Sequence, residues 1–376
     1  MSGCPQIIDL FSGAGGFSLG AHHAGFRTAL AIDKDQDLTY SYKLNFPRAR
    51  FRTLDLSLVE PQYLLKTIGS SPGRIEGIIG GPPCQGFSYI GKRDINDPRN
   101  ALVHKFFHFV NVIQPAFFVM ENVLGILDQP FRNLLDSGID SVSHRYKIIG
   151  PIPLNASEFG AATARPRIFI IGYQSSRMNP LNASDIDQLK VKNGATVFQA
   201  LHDLPGLSAG KQNTAGDFWA KYNREPETGA QGNYARQARK FPVGDLAAPL
   251  VRQARKAGLI SGFQPTIHSE QVLKRFKEVR RGGIDKISRC PRLSWDEACT
   301  TLRAGTGKDK GSYQSIRPIH PVRNRVITVR EAARLQGFPD WFQFHPTKWH
   351  SFRMIGNSVS PYLAETVLQL LRKRLD

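Results

Sequence analysis

The sequence predicts an α/β protein: a doubly wound parallel sheet joined to a second, smaller and irregular domain. Three observations carry that expectation. Short apolar runs alternate with helix-period segments through the first 175 residues. The rhythm breaks after Tyr173, where Gly, Pro, Asn, Gln and basic residues take over. Order returns at the end, in "MIGNSVSPYLAETVLQLLRKRLD".

The elements follow in chain order. "IIDLF" is a buried strand closed by "SGAGG", and residues 17–24 then read as a helix. "TALAID" is the second strand, with a helical stretch "LTYSYKLNF" behind it. "FRTLDL" and "VEPQYLLKTI" make the third strand and helix, and "IEGIIGG" the fourth strand. Leu102, Phe106, Phe109, Val110 and Ile113 recur at helical spacing, and "AFFVMENV" is the fifth strand. "YKIIGPIPL" and "RIFIIGY" add two more. Residues 174–325 have few periodic runs, but Phe, Trp, Leu and Val persist through them, so a folded module is expected rather than a linker. Ser360 and Pro361 start a last helix whose face is Val367, Leu368, Leu370 and Leu371.

Charge restricts the partners. A formal +19 implies a polyanion, nucleic acid before an anionic membrane. Residues 174–325 hold 26 Lys and Arg against 13 Asp and Glu, a net +13, so the irregular module carries most of the excess. Four cysteines, at positions 4, 84, 290 and 299, form no CxxC pair, and no His cluster has zinc spacing. A reduced, cytoplasmic protein without structural metal is expected. No apolar stretch is long enough to span a membrane, and no targeting segment precedes the first strand.

The chemistry gathers at strand ends. In "DLFSGAGGFSLG", Gly13, Gly15 and Gly16 bring backbone amides close to a ligand at a helix N-terminus. Ser18 replaces the third glycine of the dinucleotide fingerprint, so the loop alone is not diagnostic. Asp33 ends the second strand, where a carboxylate can bind ribose hydroxyls, and Asp55 ends the third. "GGPPCQGFS" puts Cys84 on a rigid turn after the fourth strand: a small core residue, a metal ligand or a nucleophile. Glu121 in "ENV" ends the fifth strand on the same edge, so a thiol and a carboxylate share one crevice.

Taken together, "DLFSGAGGFSLG", "GGPPCQGFS", "ENV", "ARPRIFIIG", "RVITVREAARLQGFPDWF" and "GNSVSP" resemble the cytosine-5 DNA methyltransferase family of bacterial or phage type. The motifs stand in the family's order and span almost the whole chain. The resemblance implies a Rossmann-like methyltransferase sheet and places a variable target-recognition domain in the basic stretch. It implies a discontinuous catalytic domain, residues 1–175 plus 350–376, with residues 176–349 as the recognition domain.

It also implies roles. Cys84 adds to carbon 6 of a cytosine, which turns carbon 5 into a nucleophile. Glu121 protonates ring nitrogen 3, Arg165 holds the carbonyl oxygen of the base, and Arg167 supports that site. The cofactor is S-adenosyl-L-methionine, held by Phe11, Gly13, Ala14, Gly15, Gly16, Asp33, Lys34, Asp55, Leu56, Pro83, Leu102, Asn357 and Val359, with no metal. The partner is double-stranded DNA, from which the base must be flipped, and a loop over residues 85–100 closes on it. A monomer is expected, with a cognate restriction endonuclease acting separately.

Two departures stand out. Thr163 occupies the place of the usual Gln, and Asp33 is one methylene shorter than the usual glutamate. An RNA-directed enzyme of related fold is the first alternative, although the "CFT" segment of the transfer-RNA branch is absent. A DNA-binding regulator without catalysis is the second, and retention of Cys84, Glu121, Arg165 and the glycine loop argues against it.

Overall fold

The computed structural model describes residues 4–83, 97–205, 219–222, 224–304 and 317–375. The first part alternates β1 (Gln6–Leu10), α1 (Gly16–His23), β2 (Arg27–Asp33), β3 (Arg50–Thr53), α2 (Pro61–Ile68) and β4 (Gly77–Gly80). It continues through α3 (Ala101–Ile113), β5 (Phe117–Asn122), α4 (Phe131–Ser143), β6 (Lys147–Asn155) and β7 (Pro166–Tyr173). The seven strands form one sheet in the order β3-β2-β1-β4-β5-β7-β6. Strands β4 and β5 are buried along their whole length, which is why "GIIG" and "FFVM" read as unbroken apolar runs.

The five strands from β3 to β5 are parallel, but β7 runs antiparallel to β5, and β6 antiparallel to β7. The sheet is therefore mixed, not wholly parallel as the strand–helix rhythm predicts. The segment between β6 and β7 contains only a 3₁₀ turn (Ala156–Phe159) and the short strand Thr163–Ala164. A parallel return needs a crossover of a dozen or more residues, usually helical, and this link is too short for one.

Other differences are local. The helix expected over "LTYSYKLNF" shrinks to Tyr42–Asn45. Asp35 Oδ1 accepts the amides of Asp37 and Leu38, and this Asx turn competes with helical hydrogen bonding. Helix α4, absent from the expected elements, buries Phe131, Leu135, Gly138 and Val142 on one face. Among the helices of the basic stretch, Pro249–Lys256 and Glu270–Glu278 each bury a single residue, so their apolar period is weak in the sequence.

The C-terminal part supplies α5 (Val329–Gln336), α6 (Lys348–Asn357) and α7 (Pro361–Arg374). Helix α7 packs on α1: Leu363, Ala364, Val367 and Leu368 share a core with Phe17, Ala21 and Ala24. A second core joins Val329, Leu335, Trp341, Phe342 and Ile355 to Ala14, Tyr42 and Phe46, so packing is continuous between the two parts of the chain. Buried charge also stitches the irregular region. Arg334 pairs with Asp203 at 2.9 Å and Asp340 at 2.5 Å, all three fully buried. Arg330 donates to the carbonyls of Ser261, Pro339 and Phe342.

Candidate active site

Strands β1, β2, β4 and β5 end on one side of the sheet, beside the point where the order reverses between β1 and β4. A cavity of about 350 Å³ opens there, in the size range of small-molecule sites. The turn after β1 forms one wall. Phe11 and Gly13 both adopt the left-handed region, with φ of 61° and 51°. Gly16 starts α1, and a side chain on it would stand 2.4 Å from the Val359 carbonyl. The helix start and the C-terminal segment thus meet without room for a methyl group.

Two carboxylates end neighbouring strands. Asp33 Oδ2 accepts the Gly13 amide and Oδ1 the Asp35 amide, both at 2.9 Å. Burial pushes the Asp33 pKa up, partly offset by these hydrogen bonds. Asp55 is more open and is held below its ordinary range, first by the Ser57 hydroxyl and then by Lys34, 3.2 Å away. Leu56, Pro83, Leu102 and Val359 supply apolar wall, and Asn357 adds a polar side chain to the lining. Ser12 Oγ is buried at this wall and has no hydrogen-bond partner among the described residues.

The same cavity is also lined by Glu121, Arg165 and Arg167. Glu121 ends β5, and Arg167 reaches it from β7, Nε to Oε1 at 3.1 Å. Burial raises the Glu121 pKa, and the two arginines pull it partly back. Arg165 is 3% exposed, and its guanidinium donates to the carbonyls of Gly356 at 2.8 Å and Leu302 at 3.4 Å. Beside them Asn122 Nδ2 donates to the Pro82 carbonyl at 3.2 Å, tying the end of β5 to the proline pair before Cys84.

Of the residues singled out in the sequence, Phe11, Gly13, Ala14, Gly16, Asp33, Lys34, Asp55, Leu56, Pro83, Leu102, Glu121, Arg165, Arg167, Asn357 and Val359 line this one cavity. Gly15 is set back from it; a side chain there would meet Phe46 and Tyr42. Cys84 and residues 85–96 of the expected closing loop lie outside the described residues.

A family match over nearly the whole chain completes this picture: the family described as C-5 cytosine-specific DNA methylase covers residues 5–373. The chain belongs to that family. This methylase is 38% identical to the Type II methyltransferase M.XorII of Xanthomonas oryzae pv. oryzae, over 98% of its own length and 86% of the relative's. It is 33% identical to the Type II methyltransferase M.DdeI of Desulfomicrobium norvegicum, over 97% and 88%. Among solved structures, a putative DNA modification methyltransferase encoded within an Escherichia coli prophage superposes with a TM-score of 0.86 at 38% identity, covering 98% of this chain and 99% of the other. The methylase is accordingly an enzyme with the Rossmann-like methyltransferase fold.

Several lining residues of the methylase escape the motif reading. Arg353 on α6 pairs with Asp35 at 2.8 Å, and both line the cavity. Asp9, at the end of β1, also lines it; its Oδ2 accepts the Ser18 hydroxyl at 2.5 Å, and burial lifts its pKa to about 7. Ser12 and Asp9 sit inside the glycine-loop motif, and Arg353 lies three residues before "GNSVSP", so adjacency to the motifs was the available signal. The tertiary fold also brings Asp37, His345 and His350 close enough to hold an ion, a grouping that spacing along the chain hides. In that group, Nδ1 of His345 already accepts the Thr347 amide at 2.9 Å.

Proposed function

We propose that this enzyme methylates carbon 5 of a cytosine flipped out of double-stranded DNA, with S-adenosyl-L-methionine as donor. The observation that carries the reading is that one cavity is lined both by the glycine loop with Asp33 and Asp55, suited to a nucleoside, and by Glu121 with Arg165 and Arg167, suited to a pyrimidine edge. The cavity fits that cofactor. Asp33 and Asp55 offer acceptors for ribose hydroxyls and an adenine amino group, Phe11, Pro83, Leu102 and Val359 offer apolar contact, and Ser12 Oγ awaits a partner. Lys34, Leu56, Ala14, Asn357 and the glycine loop complete its surroundings. Bound there, S-adenosyl-L-methionine supplies an electrophilic methyl group on a sulfonium centre.

The chain's own residues activate the base. The Cys84 thiolate forms a bond to carbon 6, and Glu121 delivers a proton to ring nitrogen 3 as charge builds there. The raised pKa of Glu121 favours the protonated carboxyl this step needs. Carbon 5, now enamine-like, becomes the attacking atom. After transfer, loss of the carbon 5 proton expels the thiol and restores the ring. The contacts favour exchanging the two arginine roles given by the motif resemblance. Arg167 stands beside the Glu121 carboxylate and reaches the base, whereas Arg165 is occupied with the Leu302 and Gly356 carbonyls and braces the wall.

Residues 1–175 with 350–376 form the catalytic domain of this reading, and residues 176–349 the recognition domain. The packing of α7 on α1 supports the first part, and the net +13 of residues 174–325 supports the second. The enzyme works as a monomer in the cytoplasm, with a restriction endonuclease of the same specificity acting separately; the Type II names of the relatives support that pairing. No helix among the described residues is long and apolar enough to cross a membrane.

The test is covalent trapping. Duplex DNA carrying 5-fluorocytosine, which keeps a fluorine where the proton must leave, is expected to give a denaturation-stable adduct with the wild-type protein in the presence of S-adenosyl-L-methionine and none with Cys84→Ala. Adduct on RNA and none on any DNA would overturn the DNA reading.

A further inference from the structure

We propose that the hairpin over residues 282–292 reads bases of the DNA target, with Arg289 making the sequence-specific contact. The proposal rests on the DNA-methylating reading above. Residues 274–292 carry eight Lys and Arg against two acidic residues, Glu278 and Asp285. One of those two is already used. Asp285 is buried, and its carboxylate accepts Arg275 Nε at 2.7 Å, the Ser288 amide at 2.7 Å and the Ser288 hydroxyl at 2.5 Å.

These bonds fix the tip. The Asp285 amide donates to the Cys290 carbonyl, the Arg289 amide to Asp285, and the Arg292 amide to Gly283, so the two arms are paired up to the turn. Arg289 sits in the left-handed region at φ 58°, where its backbone closes the turn, and its side chain is exposed. Lys286, Ile287 and Arg289 are all exposed, and none makes a side-chain hydrogen bond or ion pair among the described residues. A tip locked from below and unpartnered above is preorganised for an external ligand, which reduces the ordering cost of binding.

Two exposed isoleucines decide between bases and phosphates. Ile287 is 73% exposed and Ile284 55%, in the middle of the basic cluster. A phosphate-tracking surface gains nothing from apolar side chains, whereas a groove floor offers thymine methyl groups beside the guanine acceptors that an arginine fork matches.

The hairpin is also held in register with the cavity. At its base Arg292 is buried and donates to the His320 carbonyl and Asn324 Oδ1, each at 3.0 Å. From there the chain pairs Leu293 with Ile319, then Cys299–Thr300 with Thr163–Ala164, and reaches Leu302, whose carbonyl accepts Arg165. Thirteen residues from Arg289 to Leu302 span at most about 45 Å even fully extended. That is little more than one turn of duplex, so a base read at the hairpin belongs to the same short site as the flipped cytosine.

The experiment compares wild type with Arg289→Lys, Arg289→Ala and Ile287→Ala on random-sequence duplex DNA with S-adenosyl-L-methionine, scoring every methylated cytosine by sequencing. Lysine keeps a phosphate contact but loses the fork. The expected result is a loss of preference at one base position of the site, about tenfold or more, in both Arg289 variants, with unchanged melting temperature and cofactor affinity. Activity that falls equally on all sequences in Arg289→Ala and returns in Arg289→Lys would overturn base reading in favour of phosphate contact. An unchanged site preference in every variant would overturn the hairpin's role altogether. A wild-type protein that methylates no duplex DNA would instead overturn the underlying reading, and this proposal with it.

Discussion

Arg167 Nε stands 3.1 Å from Glu121 Oε1, joining the antiparallel strand β7 to the end of the parallel strand β5. The pair exists because the sheet reverses direction there. An antiparallel neighbour brings the start of β7 beside the end of β5, so residues 46 positions apart face one ligand end. The same contact sets the acid's strength: burial lifts the Glu121 pKa, and Arg167 opposes it more than Arg165 does.

Glu121→Gln keeps the shape and loses the transferable proton. Turnover is expected to fall about 100-fold or more, with cofactor affinity nearly unchanged. Arg167→Gln removes the main opposing charge, so the Glu121 pKa rises further and the high-pH limb of the turnover profile moves to higher pH. Pre-steady-state rates across pH, with cofactor titrations alongside, check both; a limb that stays in place would refute the coupling.

Gly16→Ala and Gly13→Ala separate two demands on the glycine loop. At Gly16 a new Cβ meets the Val359 carbonyl at 2.4 Å, so the C-terminal segment must move and cofactor affinity drops at least about tenfold, with a lower melting temperature. At Gly13 no described protein atom lies within 4 Å, so the cost to stability is only the left-handed φ, about 1 kcal/mol. Calorimetric titration and thermal melts should rank Gly16→Ala well below Gly13→Ala; the reverse order would contradict the packing.

Arg334→Met removes the buried cation between Asp203 and Asp340, leaving Asp203 with Arg239 and Asp340 with the Tyr222 hydroxyl. Breaking a buried pair in this way costs about 3–5 kcal/mol, enough to unfold a large fraction of a marginal protein. Arg132→Ala, which removes an exposed i,i+4 pair with Asp136, should cost about 0.5 kcal/mol or less. Urea denaturation of both variants measures the contrast, and equal losses would show that the buried network is not structural.

His320 should impose acid sensitivity. Burial lowers its pKa from 6.5 to about 4, with the nearby Arg325 adding to the effect and Glu331 opposing it. The unfolded chain therefore binds a proton that the folded chain excludes between those two values. Stability from this group is present above pH 6.5 and is lost as pH falls towards 4. His320→Asn keeps an acceptor for the Val322 and Arg323 amides and removes the titration, so its stability should fall less steeply over that window. Melting temperatures from pH 4 to 7 test this; parallel curves would refute it.

The sequence alone determined the strand–helix rhythm, because alternating apolar runs and helical periods reflect burial, which neighbours along the chain share. It also marked the ends where β1, β2, β4 and β5 deliver Gly13, Asp33, Pro83 and Glu121, since strand-terminal polar residues interrupt otherwise apolar runs. What it did not contain was the assembly of distant segments. The reversal of β7, the bracing of Arg165 by Leu302 and Gly356, and the closure of the cavity by Asn357 and Val359 join residues up to about 350 positions apart. The basic region escaped for a related reason. Its core residues, among them Leu201, Leu204, Val251, Ile260, Phe263 and Leu293, come a few at a time from short helices and loops, and the Arg–Asp and arginine–carbonyl bonds that join them to α5 leave no period in a sequence.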